Sequence, residues 1–149
     1  MSRDALIIGI NRYSHRKLGT LASPAVDAEA IAQVLQQYGR FTTIRRIPEI
    51  IQDTTPQIDT EQTVTRKALR EAITHLFNPT TKTQIPDTAL LYFSGHGWQS
   101  RLPPADGYLA SSNGDPDEDD GGVGLPWLRR QLETSPIRQQ IIWLDCCNN

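Results

Sequence analysis

Short apolar strand-like stretches alternate along this chain with stretches of helical repeat, and that alternation leaves few folds open. Asp4 to Ile10 contains Ala-Leu-Ile-Ile-Gly-Ile, a continuous apolar run of strand length, as expected of a strand covered on both faces. Asp87 to Phe93 and Gln139 to Leu144 have the same character. Phe41 to Ile47 instead alternates apolar and polar residues, which suits a strand nearer a sheet edge. Between the first two runs, Ser23-Pro24 reads as an N-cap and first helical residue and Gly39 as the stop, with Ile31, Val34, Leu35 and Tyr38 on one face. A second helix is predicted from Thr65 to Phe77, burying Leu69, Ala72, Ile73, Leu76 and Phe77. Pro48 and Pro56 mark a loop. Residues 98–124 are loop-rich, with one short strand at Gly107 to Ala110, and Pro126 opens a third helix through Leu132. Such alternation predicts an α/β fold: a mostly parallel sheet with helices on both faces.

A chain of 149 residues buries roughly two thirds of the surface it exposes unfolded, enough for a single domain over residues 1–149 with its own core. No apolar run approaches the roughly 18 to 20 residues of a membrane span, and the N-terminus lacks the pattern of a secretory signal, so a cytoplasmic protein without membrane contact is expected. Lys and Arg number 15 against 17 Asp and Glu, for a net charge of -2. The basic residues are scattered, so no nucleic-acid partner is expected.

Chemistry-bearing residues collect at two strand ends. His96 lies in Ser94-Gly95-His96-Gly97, directly after the third apolar run, and Cys146-Cys147 follow the fourth. Adjacent cysteines do not readily reach disulfide geometry, and two thiols do not complete a zinc site. In open α/β sheets ligand sites gather at the carboxyl ends of strands, where neighbours are about 4.8 Å apart. An imidazole and a thiol brought together there form a nucleophile–base pair. Glycines beside His96 would let a substrate carbonyl approach backbone N–H groups.

Tyr92-Phe93-Ser94-Gly95-His96-Gly97, followed about fifty residues later by Trp143-Leu144-Asp145-Cys146-Cys147-Asn148, resembles the caspase-like cysteine peptidases, in their metacaspase and orthocaspase branch. The resemblance includes Ala5 to Asn11 and Leu21 to Ala28, and implies a caspase-like fold. It assigns Cys147 as nucleophile, His96 as general base and acid, and the backbone amides of Gly97 and Cys147 as oxyanion donors. Branch members cleave after Arg or Lys, and Asp27, Ser94 and Asp145 match the pocket residues that receive that side chain. A buried guanidinium needs carboxylates to offset its desolvation. Asp27 and Asp145 converge if the first strand lies centrally, giving the order 2-1-3-4.

The chain departs from the branch pattern at Pro24, where many members have Cys, and at Trp98, in place of a common Gly. Calcium-dependent members carry an Asp pair where this chain has Gly124-Leu125. Counted from Asp115, the cluster Asp115, Asp117, Glu118, Asp119 and Asp120 puts Asp120 and Pro126 where a calcium loop wants Gly and Glu. Calcium is therefore not supported by motif, no cofactor is expected, and the cluster reads as a solvated loop. Caspase-like sheets continue past the nucleophile, so this sequence is expected to lack C-terminal edge strands, which a C-terminal fragment would complete. The leading expectation is a cysteine endopeptidase acting on peptides with Arg or Lys before the cut. The alternative is a catalytically inactive interaction or scaffold domain. A nucleotide-binding domain is disfavoured because Asn11-Arg12-Tyr13 follows the first strand in place of a glycine-rich phosphate loop.

Overall fold

The computed structural model describes residues 1–81 and 85–148, the last two by backbone alone. The chain forms β1 (Arg3–Gly9), α1 (Pro24–Tyr38), β2 (Thr43–Ile47), β3 (Glu49–Gln52), β4 (Thr55–Ile58), α2 (Arg66–Phe77), β5 (Thr88–Gln99), β6 (Gly107–Leu109), β7 (Val123–Gly124), α3 (Leu125–Glu133) and β8 (Gln139–Asn148). β1 pairs in parallel with β2 on one side and β5 on the other, and β8 pairs in parallel with the far edge of β5. The four predicted strands thus stand in the expected order 2-1-3-4, as β2-β1-β5-β8.

The sheet is more elaborate than that order. Its main path is β2-β1-β5-β6-β7, because β5 has 12 residues against 7 in β1 and projects beyond it. The projecting end presents unpaired backbone groups, which β6 takes up antiparallel, with Gly97 opposite Leu109. β7 then pairs with β6. Residues 49–58, expected to be a loop, form the β3–β4 hairpin.

Strand alternation sorts the core into two layers. Leu6, Ile8 and Ile10 face α2 and α3, packing with Leu69, Ile73, Phe77 and Leu128. Ala5 and Ile7 face α1, with Ala25, Ala28 and Ala32. The face expected of α1 is corrected here: Val34 and Tyr38 are exposed, at 54% and 72%, while Ile31 and Leu35 are partly buried and the alanines lie inside. The cause is close approach. A Cβ on Gly9 would lie 2.5 Å from the Pro24 carbonyl oxygen and 2.9 Å from the Ala25 Cα, so only small side chains fit between α1 and β1. α2 matches its predicted face, and Thr65 caps it by accepting from the Ala68 amide at 3.1 Å.

Candidate active site

The Ser94-Gly95-His96-Gly97 segment, expected just past the end of the third predicted strand, is part of β5 itself. β8 likewise continues through Asp145, Cys146 and Cys147 instead of ending at Leu144. Cross-strand pairing overrides the low strand propensity of glycine here, since the two strands run in register from Thr88 opposite Gln139 to Gly97 opposite Asn148. In that register His96 is paired with Cys147, Gly95 with Cys146 and Ser94 with Asp145. Neighbouring strands lie about 4.8 Å apart. The two residues that the sequence nominated for acyl chemistry are therefore backbone neighbours. The proposed oxyanion amides, those of Gly97 and Cys147, belong to the same paired segment.

His96 is buried, and its backbone is held at both polar groups. Its amide donates to the Tyr13 hydroxyl at 2.9 Å, and its carbonyl accepts from the Ala110 amide at 2.9 Å. The imidazole Nε2 lies 2.8 Å from the Gly19 carbonyl oxygen. A carbonyl only accepts, so Nε2 carries the proton, and in the neutral ring Nδ1 is the basic nitrogen. The Tyr13 ring meets the imidazole edge to face, with centroids 4.7 Å apart. Burial, the largest influence, pushes the Tyr13 phenol up from its ordinary value, although the His96 amide pulls the other way. Tyr13 therefore stays a neutral phenol.

Tyr13 and Gly19 both belong to the segment between β1 and α1. That segment is pinned by Ser14 donating to the Ser112 carbonyl and by Leu21 donating to the Asn11 carbonyl, each at 2.9 Å. His15 adds a third tie, with Nε2 3.3 Å from an Asp115 oxygen and 3.2 Å from an Asp117 oxygen. Lys17 pairs with Asp117, which lowers that carboxyl's pKa foremost through their hydrogen bond. The His15 Nδ1 accepts from the Lys17 amide at 3.1 Å, which assigns the ring proton to Nε2 and makes it a donor to the carboxylates. His15, Asp115 and Asp117 offer ligand atoms within 4.8 Å of one another, and here a donor imidazole and a lysine counter-charge join them in a hydrogen-bonded clasp. The acidic segment is the exposed loop that was expected, tied down in addition by these pairs and by Arg70 on Asp120.

Beside His96 opens a cavity of about 290 Å³, walled by Leu21 and Pro24 and carrying Asp27, Ser94 and Asp145. The three residues nominated for the pocket are brought together there, and neither Lys nor Arg lines it among the described residues. Asp27 arrives on the first turn of α1. The expected cap, Ser23, makes no side-chain cap bond; the Asn11 side chain instead accepts from the Ala25 amide at 3.0 Å, fixing the helix end to the strand β1 exit. Asp145 accepts from the Tyr92 hydroxyl at 3.2 Å. A larger cavity, about 410 Å³, lies near Asp4, Arg45 and His75 at the amino end of the strands and contains none of the nominated residues. Cys146 packs against the α2–α3 core layer, as expected of a small apolar side chain.

Comparison with known families decides what this arrangement belongs to. The sequence model of the caspase domain matches residues 2–149. The chain belongs to the caspase family. Its fold is that of a caspase domain, and the family is one of cysteine peptidases. None of the curated proteins matches the chain. A crystal structure of a Geobacter sulfurreducens protein superposes with a TM-score of 0.66 at 21% identity, over 99% of this chain and 51% of the other. This caspase domain sequence therefore spans about half the length of that protein. Among the described residues no helix is long and apolar enough to cross a membrane.

Three contributors to the site escaped sequence reasoning. Gly19 acts through a main-chain carbonyl, which carries no side-chain signature. Tyr13 and Tyr92 lie 83 and 53 positions from the groups they bond. An aromatic residue just past a strand's carboxyl end was the one available hint, and it applies to Tyr13 alone.

Proposed function

We propose that this caspase domain is a cysteine endopeptidase of the metacaspase and orthocaspase branch that cleaves after Arg or Lys. The observation that carries the reading is the cavity beside His96, which gathers Asp27 and Asp145 with Ser94 and no basic side chain among the described residues. Two carboxylates with no counter-ion repel one another, and a substrate guanidinium or ammonium relieves that repulsion through charge-assisted hydrogen bonds. An aspartate side chain in the same cavity would add a third negative charge.

In this reading His96 Nδ1 takes the proton of the Cys147 thiol, and the thiolate attacks the scissile carbonyl carbon. The backbone amides of Gly97 and Cys147 receive the developing oxyanion. Collapse breaks the C–N bond, with His96 returning the proton to the leaving amine. Water, deprotonated by His96, then hydrolyses the thioester. The sequence requires no metal or other cofactor. The domain acts in the cytoplasm, away from membrane and nucleic acid, on peptide substrates.

A C-terminal segment completing the sheet belongs to the same proposal. Among the described residues β8 pairs only with β5, and Ile141 and Trp143 are 45% and 49% exposed on it. An open strand edge beside half-exposed apolar side chains suits a further strand.

Turnover of peptide reporters ending in Arg, Lys or Asp by the full-length natural protein tests the reading. Cleavage after Arg or Lys, abolished by Cys147→Ala and retained by Cys146→Ala, is expected. Activity surviving Cys147→Ala, or equal cleavage after Asp, overturns it.

A further inference from the structure

Behind the acidic cavity, bonded to its lining residue Asp145, stands a group that the proposed chemistry does not use. Tyr92 stands on β5 two residues before Ser94, 2% exposed, in the core layer beneath α1. Its ring is fixed edge to face against Trp143, with centroids 5.1 Å apart and planes at 90°. Its hydroxyl donates to Asp145 Oδ2 at 3.2 Å, and Asp145 lines the cavity. The oxygen also lies near Ser94 and in the field of Asp27. Burial above all pushes the phenol up to about 12, helped by the neighbouring carboxylates and opposed by Ser94. The hydroxyl is consequently a donor at every working pH.

We propose that Tyr92 is a positioning residue of the pocket, holding the Asp145 carboxylate so that its remaining acceptor sites face an incoming guanidinium and Arg is favoured over Lys. This rests on the reading of the cavity as a basic-residue pocket. Asp145 is exposed on β8, and an untethered exposed carboxylate samples several rotamers. A guanidinium donates through a planar fork and needs two acceptor sites in a fixed plane, whereas an ammonium is a compact charge that tolerates many orientations. A hydroxyl that orients one oxygen therefore matters more for Arg than for Lys. Because the ring is packed independently of the hydroxyl, Tyr92→Phe removes the tether and leaves the packing.

The test measures kcat and KM of the full-length protein on matched Arg-ended and Lys-ended reporters, in wild type, Tyr92→Phe, Asp145→Asn and the double variant. Tyr92→Phe is expected to raise KM for Arg about 5- to 10-fold with kcat within about two-fold, and to move KM for Lys by less than about two-fold. In the Asp145→Asn background the same change is expected to shrink below about two-fold, since it acts through that carboxylate. Equal losses on Arg and Lys, a fall in kcat at constant KM, or the same loss in both backgrounds overturns the proposal. A folding defect gives that uniform pattern and counts against it. Wild-type cleavage after Arg that is indifferent to Tyr92→Phe sinks the role of Tyr92 alone, whereas wild type inactive on both reporters sinks the pocket reading and this proposal together.

Discussion

The Tyr13 hydroxyl and Gly95 share one corner of the site: a methyl group on Gly95 would overlap the phenol oxygen that accepts the His96 amide. Gly95→Ala therefore displaces the far end of the Tyr13 side chain and orphans a buried N–H, at a stability loss of about 1–3 kcal/mol. Peptidase turnover is expected to fall about ten-fold as His96 loses its support. Tyr13→Phe should reproduce the loss, and the double variant should be little worse than either single one. Strict additivity in kcat/KM would refute the shared mechanism.

Gly9 is different, because its neighbours are α1 backbone atoms and the Ala28 Cβ, none of which can swing away. Gly9→Ala forces α1 off β1, and overpacking of this kind costs about 1–3 kcal/mol. Asp27 rides on the displaced helix end, so KM for an Arg-ended reporter should rise as well. Urea denaturation and reporter kinetics on the same protein check both effects. A stable variant with unchanged KM would contradict the close packing described.

Arg46 is 3% exposed and is held by Glu29, with Nε 3.0 Å from one carboxylate oxygen. Glu29 also accepts from the Ile58 amide at 2.8 Å, joining α1 to β4. Burial alone would raise the Glu29 pKa, but the bonds from Arg46, Ile58 and Gln33 outweigh it and the net shift is downward. A depressed carboxyl contributes stability above its unfolded value, near 4.5, which is lost as pH falls through the lower folded value. Urea midpoints should therefore drop on the acid side of 4.5, with a smaller drop in Glu29→Gln. At neutral pH that substitution should cost about 3 kcal/mol, because it leaves a buried guanidinium without its counter-charge.

The clasp of His15 and Lys17 on Asp115 and Asp117 lies at the surface, so its removal should affect the site more than the fold. Asp115→Asn combined with Asp117→Asn is expected to lower kcat about two- to five-fold with an almost unchanged melting temperature. Raising the salt concentration should imitate it in wild type and have less effect in the variant. A variant as active as wild type would show that Tyr13 and Gly19 are held adequately without the clasp.

Periodicity made the strand order and α2 legible, because both depend on apolar patterns that survive in one dimension. It misplaced the buried face of α1, where steric closeness at Gly9 selected alanines over the larger Val34 and Tyr38. It also stopped β5 and β8 too early, since glycine and aspartate are poor strand formers until a partner strand pairs with them. Asp27, Ser94, His96 and Asp145 could be nominated from the resemblance, and the fold assembles them round one cavity. The supports of His96 could not be nominated: a carbonyl 77 positions away acquires its role only through the path of the chain.

Because His96 is an interior residue of β5, flanked by β8 and anchored through Ala110 and Tyr13, its main chain has no hinge of its own. The imidazole keeps its place for as long as the sheet exists. Heat inactivation and the calorimetric melting of the domain should therefore coincide in one transition, and the His96 amide should exchange with deuterium among the slowest in the protein.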